Sequence, residues 1–296
     1  AGIARQIVGN LHAGILLILW GLFMKVVVAD RLAIYTDAVF NNLPHHYGPS
    51  LLIAAYFYTF QIYCDFAGYT NIAIGGGRLL GIDLMPNFNK PYLSKTVSEF
   101  WRRWHISLSF WFRDYLYIPL GGNRVSKIRR CFNYLVVFAL CGLWHGANWT
   151  FVVWGSLHGI FLSIGYLAKN VIDKALGHIP RTFNMPDIIR IVTTFHLIAF
   201  AWIFFRVSCL DDAWIFFNHI RKGWPVPFLD LNSMVYGIMG VIVVACVEII
   251  QFRQEDSMDR FTGMPVALKW TCFFILIYSV VLLGVDGDSA FIYFQF

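Results

Sequence analysis

Apolar positions in this chain gather into long runs rather than alternating or stripe-like patterns, and the runs predict membrane-crossing helices. About 20 consecutive apolar residues cross the hydrocarbon core of a bilayer. Leu11–Ala29 is long enough, with Lys25 near its end expected to snorkel towards the headgroups. Thr150–Ala168, Ile189–Phe205, Met234–Ile250 and Val266–Leu283 give further spans. Asp30–Ser50, which contains NNLPHHYGPS, is expected to be a connecting loop; its His45 and His46 have no carboxylate close by and read as loop residues. Leu51–Cys64 opens another span but runs into DFAGYTNIAIGGGRLLG. There Asp65 and Gly68, Gly75, Gly76, Gly77 and Gly81 predict a kinked or re-entrant element with close helix packing.

The stretch Thr96–Trp154 has a different texture. Thr96 and Glu99 form a capping box, so a helix is expected to start there. Trp101, Trp104, His105, Leu108 and Phe112 share one face of it by three- and four-residue spacing, while Arg102, Arg103 and Arg113 lie elsewhere. A basic, Trp-rich amphipathic helix suits the plane of the membrane interface. Asn133–Trp144 is apolar but amounts to only about 20 Å of helix against a core of about 30 Å. The break at GLWHGANW is therefore expected inside the membrane, leaving His145 at the end of a cavity.

Composition sharpens the class. Of the 296 residues 58% are hydrophobic and 14% charged, whereas soluble domains have about 25% charged. The reading is an all-α polytopic membrane protein: one membrane-embedded domain over 1–296, with a basic cytoplasmic or interfacial segment at 78–130 and a catalytic hairpin at 131–168. Between Arg78 and Arg130 ten Lys/Arg stand against Asp83, Glu99 and Asp114. Embedded among spans, that excess reads as positive-inside charge rather than nucleic-acid binding. Lys169–Arg190 is placed on the same cytoplasmic side, and alternation then puts the C-terminus outside. The six cysteines show no metal-ligand spacing and read as small buried hydrophobes.

Two histidines carry the candidate chemistry. His145, flanked by Gly142, Gly146 and Ala147 that would give a substrate room, is the candidate general base, with a structural histidine bonded between helices as the rival reading. His105 is the second candidate, able to orient a donor or stabilise an oxyanion. Asp65, Arg102, Arg103, Arg113, Trp144 and Asn148 are candidate substrate-binding residues. The arginines suit a phosphate-bearing donor or an acidic carrier, or else simply a solvated face; Asp65 suits pairing with an arginine or capping a broken helix equally well. His158, His196 and His219 read as structural or loop residues. No GxSxG, HExxH or Walker motif occurs.

WRRWHISLSFWFRDYLYIPLGG followed by GLWHGANWTFVVWGSLHG resembles the membrane-bound O-acyltransferase (MBOAT) family, in its bacterial alginate O-acetyltransferase branch. YCDFAGYTNIAIGGGRLLGI and the terminal FIYFQF fit the same branch, so the likeness runs over essentially the whole chain. Members carry several further N-terminal spans, so the chain is expected to be the C-terminal portion of a longer protein. The resemblance implies a helical bundle around a central tunnel in the bacterial inner membrane, with His145 as essential catalytic histidine and His105 as second active-site group. It implies no bound cofactor, an acyl-thioester co-substrate (acetyl-coenzyme A or an acyl carrier protein) from the cytoplasm, and a periplasmic partner acyltransferase. The acceptor is expected to be an exopolysaccharide or wall polymer. A transporter or flippase with midplane histidines, or a non-catalytic scaffold for polysaccharide export, is the alternative.

Overall fold

The computed structural model describes residues 2–175, 187–223, 228, 230–252, 265–285 and 291. Among these the regular elements are all helical: α1 (Gly2–Leu22), α2 (Asp30–Phe40), α3 (Gly48–Leu79), α4 (Val97–Arg103), α5 (Ile106–Phe112), α6 (Lys127–His145), α7 (Trp149–Ala175), α8 (Asp187–Arg206), α9 (Leu210–His219), α10 (Leu231–Phe252) and α11 (Val266–Leu283), with short π and 3-10 stretches. Leu11–Phe40, Trp149–Ala168, Asp187–Arg206, Leu231–Phe252 and Val266–Leu283 are each long and apolar enough to cross a bilayer. The chain is an all-α, multi-pass membrane protein. It divides into two compact units, one of Ala1–Pro86 with Gly223–Phe296, the other of Asn87–Lys222.

In the first unit α1 and α2 are one helix joined by a π-helical stretch, Phe23–Ala29. The expected loop at Asp30–Ser50 is therefore mostly helix, because Leu32, Tyr35 and Val39 continue a buried stripe at helical spacing. The connection shrinks to the 3-10 turn Leu43–His45. Lys25 does not snorkel. The Asp30 N–H bonds the Lys25 carbonyl five residues back, which brings their side chains together. Lys25 Nζ then lies 2.8 Å from Asp30 Oδ1 and 2.6 Å from Asp65 Oδ1, all three buried. Asp65 thus pairs with a lysine, not an arginine.

The expected interruption after Cys64 is also absent, since α3 runs unbroken for 32 residues. Its glycines do serve the close packing expected of them: a Cβ at Gly68 would meet the Gly21 carbonyl at 2.7 Å, and one at Gly75 the Gly14 carbonyl at 2.6 Å. The chain turns only at Gly81, whose φ of +74° favours glycine.

In the second unit the capping box forms as expected. Thr96 Oγ1 accepts the Glu99 N–H at 3.1 Å, and Glu99 Oε2 accepts the Lys95 N–H at 2.9 Å. The helix does not continue to Phe112, however. Trp104 is extended and His105 left-handed (φ 42°, ψ 57°), which splits it into α4 and α5. The cause lies upstream in NFNKPYL. Asn87 takes the Ile106 N–H on its carbonyl and the Ser107 N–H on Oδ1, at 3.0 and 3.1 Å, and the Asn89 N–H bonds the Arg103 carbonyl. The predicted single amphipathic face is therefore folded at its middle.

Helix α6 begins at Lys127, capped by Ser126, and its 19 residues give about 28 Å. The added length is mainly the charged stretch 127–130, and α6 is not among the described helices long and apolar enough to cross a bilayer, in keeping with the short apolar run Asn133–Trp144. The break after His145 does occur, and Asn148 starts α7 by accepting the Thr150 N–H at 3.1 Å. The two helices pack backbone to backbone: a Cβ on Gly142 would strike the Phe151 carbonyl, and one on Gly155 the Phe138 carbonyl. The space beside Gly142 and Gly146 is filled by Phe151 rather than left for a substrate. Between α8 and α10 the short helix α9 opens with Asp211 and Asp212 in its first turn. Part of Lys169–Arg190 and all but Phe291 of FIYFQF fall outside the described residues.

Candidate functional site

The two candidate histidines come together in the second unit. His145 is the last residue of α6 and 6% exposed. Trp144, Trp154 and Phe205 surround its imidazole with ring centroids at 4.9, 5.2 and 5.1 Å. His105 occupies the corner between α4 and α5, near enough for the two imidazoles to interact electrostatically. Its Nδ1 is 3.4 Å from Ser107 Oγ. His105 lies on none of the spanning helices, and burial pushes it down to about 4, so the ring is neutral at physiological pH. A left-handed backbone at a non-glycine residue costs about 1–3 kcal/mol, and such strain clusters at functional sites. Asn87 and Asn89 hold that corner, and no motif marks them.

A cavity of about 410 Å³ adjoins this corner, lined by Arg102, Arg113 and Arg130 and by Trp101, Ser109 and Cys141. Ser109 and Cys141 each stand four residues, one helical turn, from a candidate histidine. Arg113 is bound to Asp114 at 2.7 and 3.1 Å, which lowers that exposed carboxyl, and it lies 4.4 Å from the Phe110 ring. Arg130 donates to the Tyr134 hydroxyl and lies over the Tyr166 ring at 4.1 Å. Arg130 was not singled out from sequence, where it is one of several basic residues before an apolar run.

The remaining candidates divide. Arg103 turns away from the cavity, bonding Glu99 at 2.8 Å and the Asn89 carbonyl at 3.2 Å. Asn148 has both ends of its amide engaged, one by Thr150 and one on the Ser208 carbonyl at 2.7 Å. Trp144 is half exposed beside His145. Asp65 belongs to the first unit, bound to Lys25. His158 has a partner that its sequence gave no sign of: the Trp101 indole N–H donates to its Nδ1 at 3.2 Å.

These features define a class, a helical multi-pass membrane protein with a buried and a half-buried imidazole beside an arginine-lined cavity. Residues 5–210 match the model of the MBOAT, membrane-bound O-acyltransferase family, and the chain belongs to that family, in its AlgI-like group. It is 43% identical to the peptidoglycan O-acetyltransferase of Helicobacter pylori, over 97% of this chain and 57% of that protein. It is 36% identical to a protein of Azotobacter vinelandii named probable alginate O-acetylase AlgI, over 93% of this chain and 60% of the relative. The teichoic acid D-alanyltransferase of Bacillus subtilis is 32% identical over 66% of this chain and 51% of its own length. The chain thus spans little more than half the length of the relatives it matches.

Proposed function

We propose that this chain carries the active site of an acyltransferase that moves a small acyl group, acetyl in the first instance, from a cytoplasmic thioester across the membrane toward O-acetylation of a surface polymer. The observation that carries the reading is the juxtaposition of His145, buried in an aromatic wall, with the half-buried His105, next to a cavity lined by arginines. The relatives' names, O-acetyltransferase, O-acetylase and D-alanyltransferase, favour acyl transfer over transport or scaffolding.

In this mechanism His145 accepts the proton of the acceptor hydroxyl as its oxygen attacks the thioester carbonyl carbon. The carbonyl electron pair moves to oxygen, and collapse expels the thiolate, which takes the proton back from His145. Neutral His105 orients the donor at the site. Arg102 and Arg130, with Arg113, attract the donor's phosphate, whether it belongs to coenzyme A or to a carrier protein's prosthetic arm. The protein works in the bacterial inner membrane with its C-terminus in the periplasm, handing the acyl group to a periplasmic partner acyltransferase. Peptidoglycan and alginate are the first acceptors to test, following the relatives.

The test is His145→Ala in the full-length protein in its own host, with polymer O-acetyl content read by NMR. Base catalysis is worth roughly 10²–10⁴-fold, so acetylation should fall to background. Wild-type acetylation in a variant that reaches the membrane would remove His145 from the mechanism. Lost polymer export with normal acetylation would favour the transport reading.

A further inference from the structure

His158 takes no part in the reaction above, yet it sits where the supports of both active-site histidines meet. It is fully buried in the middle of α7. Because its Nδ1 accepts the Trp101 indole N–H, that nitrogen carries no proton, and the ring is neutral with its hydrogen on Nε2. Among the described residues Nε2 has no hydrogen-bond partner. The imidazole stands edge-on to three indoles, at 75° to Trp154, 66° to Trp202 and 85° to Trp101, and parallel to the Phe100 ring at 6.4 Å. Its hydrogen bond to Trp101 is thus the directional contact that fixes how the ring lies.

Each end of that contact leads to the site. Trp101 lines the arginine cavity and stands on α4, four residues before His105. Trp154, one turn before His158 on the same face of α7, holds the His145 ring at 5.2 Å. The Trp101–His158 bond therefore ties α4, which ends at the His105 corner, to the helix face that packs on His145. A side chain serving only to fill this space needs no acceptor nitrogen, and phenylalanine would fill it. An acceptor satisfies the buried indole N–H of Trp101 and, because the bond is directional, also holds that indole in one orientation.

We propose that His158 is a positioning residue: its Nδ1 locks the Trp101 indole, and so sets both the donor-facing wall of the cavity and the placement of His105 against His145. This rests on the acyl-transfer reading of the site. The perturbation acts on geometry, and a misplacement of about 1 Å at a reacting centre can cost on the order of a hundredfold in rate.

The experiment uses the full-length protein in membranes, assayed with acetyl-coenzyme A and with an acetylated carrier protein in parallel arms. His158→Phe keeps volume and loses the acceptor, Trp101→Phe loses the donor, and His158→Gln restores an acceptor oxygen. His158→Phe and Trp101→Phe should each lower kcat about ten- to a hundredfold and raise donor KM, with acceptor KM unmoved. The double variant should be no worse than either single one, and His158→Gln should recover most of the loss. Wild-type kinetics in His158→Phe would overturn the proposal. So would losses that multiply in the double variant, or losses that only follow the amount of folded protein in size-exclusion profiles. A His145→Ala control run alongside separates the two readings. If it stays active the base assignment fails, whereas if it is dead while His158→Phe is normal, the positioning role alone falls.

Discussion

Replacing Lys25 with Met should strongly destabilise the first unit. The ammonium sits 2.8 Å from Asp30 and 2.6 Å from Asp65, with side-chain exposures of 7%, 8% and 2%. At an effective dielectric of about 20, each contact represents roughly 6 kcal/mol of attraction. Desolvation of three charged groups and repulsion between the two carboxylates offset most of that. Removing the lysine keeps the desolvation of the two carboxylates and their repulsion while abolishing the attraction, and breaking a buried pair in this way typically costs about 3–5 kcal/mol. For a unit of this size each kcal/mol is worth about 2–4 °C, so Lys25→Met should lower Tm by roughly 6–20 °C. The assay is thermal unfolding of detergent-solubilised protein followed by size exclusion. The triple variant Lys25→Met/Asp30→Asn/Asp65→Asn removes charge from all three positions and should recover most of the loss. A single variant within about 2 °C of wild type, or a triple variant no more stable than the single one, would refute the account.

Three further outcomes follow from local geometry. Gly155→Ala should cost roughly 1–3 kcal/mol or more, because its Cβ would strike the Phe138 carbonyl, whereas Gly165→Ala in the same helix meets nothing within 4 Å and should be neutral or slightly stabilising; thermal shifts of the pair check this. His105→Gly should be more stable than His105→Ala by about 1 kcal/mol, since only glycine enters the left-handed region freely, while both lose acyl transfer; equal stability would mean that the corner carries no strain. Arg102→Glu and Arg130→Glu should each raise donor KM several-fold or more at low salt, and Arg103→Glu much less, because Arg103 is held by Glu99 away from the cavity; equal effects at all three would remove the cavity from donor binding.

What sequence disclosed about the site, and what it hid, divides along a physical line. Spans and the break after His145 are written in local composition: apolar runs, then Gly146 and a capping Asn148. The capping box at Thr96 is likewise a four-residue signal and forms as expected. The helix break at His105 is not local, because nothing in WRRWHISLS interrupts a helix; Asn87 and Asn89, nearly twenty residues upstream, compete for the backbone and fold it. Lys25 misled for the same reason. A lone lysine near the end of an apolar run is expected at the headgroups, and only the approach of Asp65 from another helix, together with a π turn that aligns Asp30, makes burial tolerable. The glycines of α3 point in sequence to a kink with close helix packing, and Gly142 and Gly146 to room for a substrate, but a small residue signals close approach without saying to what. Here the neighbour is another backbone, Gly21 facing Gly68 and Phe138 facing Gly155. A motif can therefore name the two imidazoles of this site, whereas the contacts that hold them, Asn87 at one corner and Trp101 on His158 at the other, come from chain segments that meet only in the folded protein.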